Sequence, residues 1–72
     1  MIHFTKYAEQ KFEILNKHNV FITREQVEAA VRLPDKAKKK GKLFSACKDG
    51  VEVIYKKEGE IIRVITFFPI KC

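Results

Sequence analysis

Residues 42–68 read KLFSACKDGVEVIYKKEGEIIRVITFF, and this stretch decides the fold class. Side chains alternate with a period of two around Asp49-Gly50 and Glu58-Gly59, dipeptides of the kind found in two-residue hairpin turns. Three antiparallel strands are expected, near 42–48, 51–57 and 60–68. Two-residue turns at both dipeptides set Lys48 opposite Val51 and Lys57 opposite Glu60. In that register Phe44 meets Tyr55, Ala46 meets Val53, Tyr55 meets Ile62 and Val53 meets Val64, all on one apolar face. The other face carries Leu43, Ser45, Cys47, Glu52, Ile54, Lys56, Ile61, Arg63, Ile65 and Phe67, a set too apolar for a fully solvated surface. A second copy of the chain, a returning C-terminal tail, a partner protein or RNA would each cover it.

The first half of the chain supplies a cover for the apolar face. Thr5 can cap a helix running to about Lys17, with Ala8, Phe12 and Leu15 at the i, i+4, i+7 spacing of a buried stripe. Asn19 follows where a left-handed residue closes a helix. Thr23 and Gln26 form a capping box, with Ile22 placed to staple against Val27. Val27, Ala30 and Val31 make the second stripe, which Leu33-Pro34-Asp35 ends. Residues 36–40 add an edge-like strand and residues 2–4 a short one. The expected architecture is α+β: two N-terminal helices packed on one face of a three- to four-stranded antiparallel sheet, a single domain over 1–72.

A chain of 72 residues has room for one thin core, burying roughly 60% of its unfolded surface. Lys and Arg number 15 against 9 Asp and Glu, a net charge of +6, which favours polyanions but equally suits an acidic protein partner or a merely solvated surface. No apolar run approaches the ~18 residues of a membrane span, and the opening residues do not read as a signal peptide. A cytoplasmic location is expected, with Cys47 and Cys72 as ordinary reduced thiols. Two cysteines without CxxC or Cys/His spacing suggest neither a disulfide framework nor zinc. Without a P-loop, dinucleotide fingerprint, nucleophile elbow or paired carboxylates, no metal and no cofactor are expected.

On a helical wheel Tyr7, Lys11 and His18 fall within about 40° of one another at the margin of the apolar stripe. Lys11 either snorkels to water or meets an acidic or phosphate group. Arg63, mid-strand on the uncovered face with Glu52 diagonal and Lys56 nearby, is either half of a surface ion pair with Glu52 or part of a phosphate clamp. Lys36, Lys38, Lys39, Lys40 and Lys42 place five amines in seven residues. Such a run binds nucleic-acid backbone without reading sequence, or guards a strand edge against stray pairing. Lys38, Lys39, Lys40, Lys42 and Lys56 form the candidate nucleic-acid-binding set. His3 and His18 belong to the residue type most suited to moving protons near neutral pH.

Several short motifs recur together in one known group. Phe4-Thr5-Lys6-Tyr7-Ala8 opens the first helix, Ile22-Thr23-Arg24-Glu25-Gln26-Val27 opens the second, and Gly50-Val51-Glu52-Val53-Ile54-Tyr55 and Ile62-Arg63-Val64-Ile65-Thr66 fill two strands. Over nearly its whole length the chain resembles the RelE-like toxin superfamily. It looks most like a poorly characterised branch with a His-Ala-x-x-Arg helix followed by an Ile-Thr/Ser-x-Glu-x-Val helix. Asn16-Lys17-His18-Asn19-Val20 also looks like the Lys-His-Gly-Val of BrnT-type toxins, with Asn19 in place of Gly. It departs at Tyr7, where that branch carries His, and at Lys11, where it carries Arg.

The resemblance implies a β-α-α-β-β-β fold and the toxin part of a type II toxin–antitoxin system. Such a protein would cleave mRNA without a metal, commonly on the ribosome, and be neutralised by an antitoxin; other members poison gyrase or have no assigned activity. Cleavage asks for a base at the ribose 2′-hydroxyl, an acid at the leaving oxygen and cations for the developing charge. Tyr7, Lys11, His18, Lys56 and Arg63 are the candidates, with Arg63 and Lys11 on the phosphate and His18 or Tyr7 moving protons. The alternatives are a non-catalytic RNA- or protein-binding module, whether decayed toxin or adaptor, and a structural domain that forms a homodimer through the outer sheet face.

Overall fold

The computed structural model describes residues 2–70. In chain order the elements are β1 (Ile2–Phe4), α1 (Lys6–Lys17), α2 (Arg24–Arg32), β2 (Lys36–Lys40), β3 (Leu43–Lys48), β4 (Val51–Glu58) and β5 (Ile61–Pro69). The fold is α+β. The strands form one five-stranded sheet in the order β1-β5-β4-β3-β2. Strands β2 to β5 are antiparallel neighbours, and β1 joins the far edge parallel to β5. The sheet is therefore mixed, not the three- to four-stranded antiparallel sheet expected. Parallel pairing needs a long crossover connection, and Ile2 meets Ile62 at a separation that local periodicity cannot see.

Both helices start where their caps dictate. The Thr5 hydroxyl accepts from the Ala8 backbone at 3.2 Å, and Thr23 and Gln26 close a reciprocal capping box, leaving fewer first-turn donors unsatisfied. Asn19, at φ 60, takes the left-handed conformation that Asn tolerates. The buried stripes are Ala8 on α1 and Val27, Ala30 and Val31 on α2, with Phe12 and Leu15 packed alongside. Arg24 ties the two helices together. Its guanidinium pairs with Glu9 at 3.1 Å and lies 5.2 Å from the Phe4 ring centre and 5.7 Å from that of Phe12, within cation–π range.

The two hairpins of the 42–68 stretch turn differently. At Asp49-Gly50 both residues have positive φ, 51 and 80, as a type I′ turn requires, and Lys48 meets Val51 as expected. Phe44 opposite Tyr55 and Ala46 opposite Val53 follow. The second turn lies one residue later than expected, because Glu58 pairs with Ile61 and Gly59, at φ 62, becomes its first residue. Glu bears a left-handed conformation less readily than Asp, whereas Gly first is the type II′ arrangement. Gly41, also at φ 62, turns β2 into β3 in the same way, which moves Lys42 out of the expected strand. Tyr55 consequently meets Val64 rather than Ile62, a slip of two that keeps each side chain on its face.

Beyond Tyr55 the register breaks. Ile54 pairs with Thr66 while Tyr55 pairs with Val64, so Ile65 is the extra residue of a β-bulge. One inserted residue reverses the alternation, and Phe67, expected on the outer face, lies opposite Val53 and is fully buried. The bulge also holds β5 to α1. Thr5 donates from its backbone to the Val64 carbonyl at 3.1 Å and from its hydroxyl to the Ile65 carbonyl at 3.3 Å.

Cys47 corrects a further expectation. It is disulfide-bonded rather than a thiol; Cys72, expected to be a second thiol, lies outside the described residues. No helix among them is long and apolar enough to cross a membrane.

Candidate nucleic-acid interface

The helices cover one side of the sheet and leave the other open. Cross-strand partners point to the same side, so the pairings of the five strands arrange the open face in rows. One row runs His3, Arg63, Lys56, Leu43, Lys40 from the β1 edge to the β2 edge. The next runs Thr66, Ile54, Ser45, Lys38, and a third Phe68, Glu52, Cys47, Lys36. The face is thus cationic along the β2 edge and the first row, and between them Leu43, Ile54 and Phe68 are set among the hydroxyls of Ser45 and Thr66 and the carboxylate of Glu52. Leu43 and Ile61 stay 42% and 39% exposed, and a hollow of about 290 Å³ opens between Leu43, Ser45 and Ile54 on one side and Lys38 and Lys40 on the other.

The β2 edge owes its character to alternation. Lys36, Lys38 and Lys40 share the open face because they are two apart, roughly 7 Å from one to the next. Ala37 and Lys39 face the helix side. There the Lys39 ammonium is 5.6 Å and that of Lys57 5.1 Å from the centre of the Phe44 ring, which itself stacks on Tyr55 at 5.3 Å. Of the five expected nucleic-acid-binding lysines, Lys38, Lys40 and Lys56 therefore share the open face, Lys39 turns away and Lys42 sits in the turn.

The charges in the first row are partly tied up within the protein. Arg63 pairs with Glu58 at 3.4 Å and Lys56 with the same carboxylate at 3.9 Å. Glu52, one of the two alternative partners for Arg63, accepts from the Ser45 hydroxyl at 3.0 Å, and the later turn carries Arg63 toward Glu58. His3 is the imidazole that the row brings beside Arg63, a neighbour that becomes visible only once β1 is known to pair with β5.

The expected helix residues fall elsewhere. Tyr7 on α1 and His18 at its C-cap are exposed and Lys11 is half-buried, in the layer that packs on the Val64 side of β5, so they start from the opposite side of the sheet to Arg63 and Lys56. Among the described residues no three His, Cys, Asp or Glu side chains gather to hold a metal ion. No protein-family model matches the chain, and no curated protein or solved structure is significantly similar to it.

Proposed function

We propose that the chain binds single-stranded RNA on the open face of its sheet, as the toxin part of a RelE-like toxin–antitoxin pair. The observation that carries this reading is the row His3-Arg63-Lys56, continued by Leu43 and Lys40, on a face that also presents Ile54, Ile61 and Phe68. Cations along such a face hold phosphates, while apolar side chains between them accept splayed bases. An antitoxin would cover the exposed Leu43 and Ile61 in the unactivated pair. The RNA would be mRNA, on or off the ribosome, met in the cytoplasm, where the Cys47 disulfide would be expected to stand reduced.

Metal-independent cleavage is the activity this reading assigns. Arg63 and Lys56 would take the charge developing on phosphorus, and His3 is the nearest proton carrier in the row. Lys11, His18 and Tyr7 would take part only from around a sheet edge. A non-catalytic binding module is the second reading, favoured by one observation: Lys11, His18 and Tyr7 lie on one side of the sheet and Arg63 on the other. Self-association through Leu43, Ile54 and Ile61 is a further outcome to be tested.

The deciding experiment is induced expression in a bacterial host, scoring growth and mRNA integrity for the wild type, Arg63→Ala, Lys56→Ala and Lys11→Ala. Arrest with cleaved mRNA that the first two variants relieve while remaining folded supports the toxin reading. RNA binding by the purified protein without arrest selects the binding module. A concentration-dependent dimer that ignores RNA would overturn both.

A further inference from the structure

Lys56 and Arg63 face each other directly across β4 and β5, an arrangement that like charges disfavour. Both are more than two-fifths exposed, and both converge on one carboxylate, that of Glu58, at 3.9 Å and 3.4 Å. Glu58 sits two residues beyond Lys56 on the same strand and diagonally across from Arg63, which brings it to the same face. An oxyanion held jointly by an ammonium and a guanidinium is also how a phosphate group is held. We propose that Lys56 and Arg63 form the seat of one RNA phosphate, and that Glu58 occupies this seat until the phosphate displaces it.

The inference rests on the RNA reading for its ligand, but the seat itself follows from these three side chains. In the resting protein Glu58 offsets one of the two positive charges and relieves their repulsion. A phosphodiester entering the seat must compete with a carboxylate that is tethered and always present, so the open face binds RNA more weakly than its lysines alone would allow. Removing the carboxylate's charge leaves two unpaired cations facing the ligand. Each further phosphate neutralised on single-stranded RNA steepens the dependence of log affinity on log salt by about 0.7.

The test compares the wild type with Glu58→Gln, with Arg63→Gln, with the double variant, and with Glu25→Gln as a control for net charge away from the face. Two probes are used: a fluorescein-labelled mixed-sequence oligoribonucleotide, followed by anisotropy across a salt series, and inorganic phosphate, followed by NMR shifts of the Arg63 guanidinium. Glu58→Gln is expected to bind the oligonucleotide roughly 3- to 10-fold more tightly with the salt slope unchanged, because one phosphate fills the seat in both proteins, whereas Arg63→Gln loses the seat and should flatten the slope by about 0.7. Glu25→Gln should gain far less, and the advantage of Glu58→Gln should vanish when Arg63 is also changed. Phosphate that shifts Arg63 more readily in Glu58→Gln, with no oligonucleotide binding in any variant, would keep the seat and discard RNA as its ligand. Equal gains from Glu58→Gln and Glu25→Gln with both probes, or no response to phosphate in any variant, overturns the seat.

Discussion

The two faces of the sheet are built from the same strands, yet they obey different rules. Facing the helices are Ala46, Val53, Val64 and Phe67, all with no measurable exposure, and no charged side chain is buried among the described residues. Facing outward, side chains of the same strands other than the buried Cys47 remain partly exposed, and charges are interleaved with Leu43, Ile54 and Ile61. A packed face is judged by the volume and shape of what fills it, because interiors are close-packed. An open face is judged by what it can still bind. Substitutions on the first should therefore change stability and leave ligand binding to follow, whereas those on the second should do the reverse.

The largest expected effect lies on the packed face at Phe67, whose ring is 4.4 Å from that of Phe12. Phe67→Ala removes the largest fully buried side chain and should cost about 3–5 kcal/mol, enough to threaten folding in so small a domain. Phe68→Ala, one residue on and turned to the open face, should cost a fraction of that. Urea denaturation of both variants checks the pair. A larger loss from Phe68→Ala than from Phe67→Ala would mean that the bulge at Ile65 does not turn Phe67 toward the helices.

That bulge also marks where the sequence stops speaking for the fold. Periodicity, caps and the Asp49-Gly50 turn are local signals, and they place both helices, the five strands and the first hairpin register. The placement of Phe67 depends on one inserted residue, which a period-two pattern over Val64-Ile65-Thr66-Phe67-Phe68 cannot locate because nearly every position is apolar or β-branched. The neighbourhood of Arg63 was hidden for related reasons. Its approach to Glu58 depends on which residue of Glu58-Gly59-Glu60 begins the turn, and its place beside His3 on a parallel pairing between residues 60 apart. Lys38, Lys40 and Lys56 were legible because alternation alone fixes their face.

A middling effect is expected where the two layers are joined. Thr5→Ala removes both the cap that accepts from Ala8 and the hydroxyl bond to the bulged Ile65 carbonyl. The cap alone is worth about 1 kcal/mol, and the lost bond adds a part-buried carbonyl, for a total of about 1–2 kcal/mol. Thr5→Ser keeps both bonds and should recover most of the loss. Hydrogen exchange sharpens the comparison: the amides at the start of α1 should open more easily in Thr5→Ala than those of β3 and β4.

The smallest change in stability, and the clearest change in binding, is expected at the β2 edge. Lys38→Gln with Lys40→Gln removes two ammonium groups that lie on the open face and bury nothing, so stability should move by no more than about 0.5 kcal/mol. If the two lysines contact RNA phosphates, the salt slope for a single-stranded oligoribonucleotide should flatten by about 1.4. If they serve instead to stop β2 from pairing with another chain, the slope should hold and the variant should associate, because an edge strand stripped of charge exposes a row of unpaired backbone groups. Anisotropy across a salt series and sedimentation of the same sample separate the two roles. Lys39→Gln is the internal comparison: it lies on the same strand but faces Phe44 on the helix side, so under the RNA-contact role it should leave the slope nearly untouched, while under the edge-guarding role it should promote association about as much as either of its neighbours.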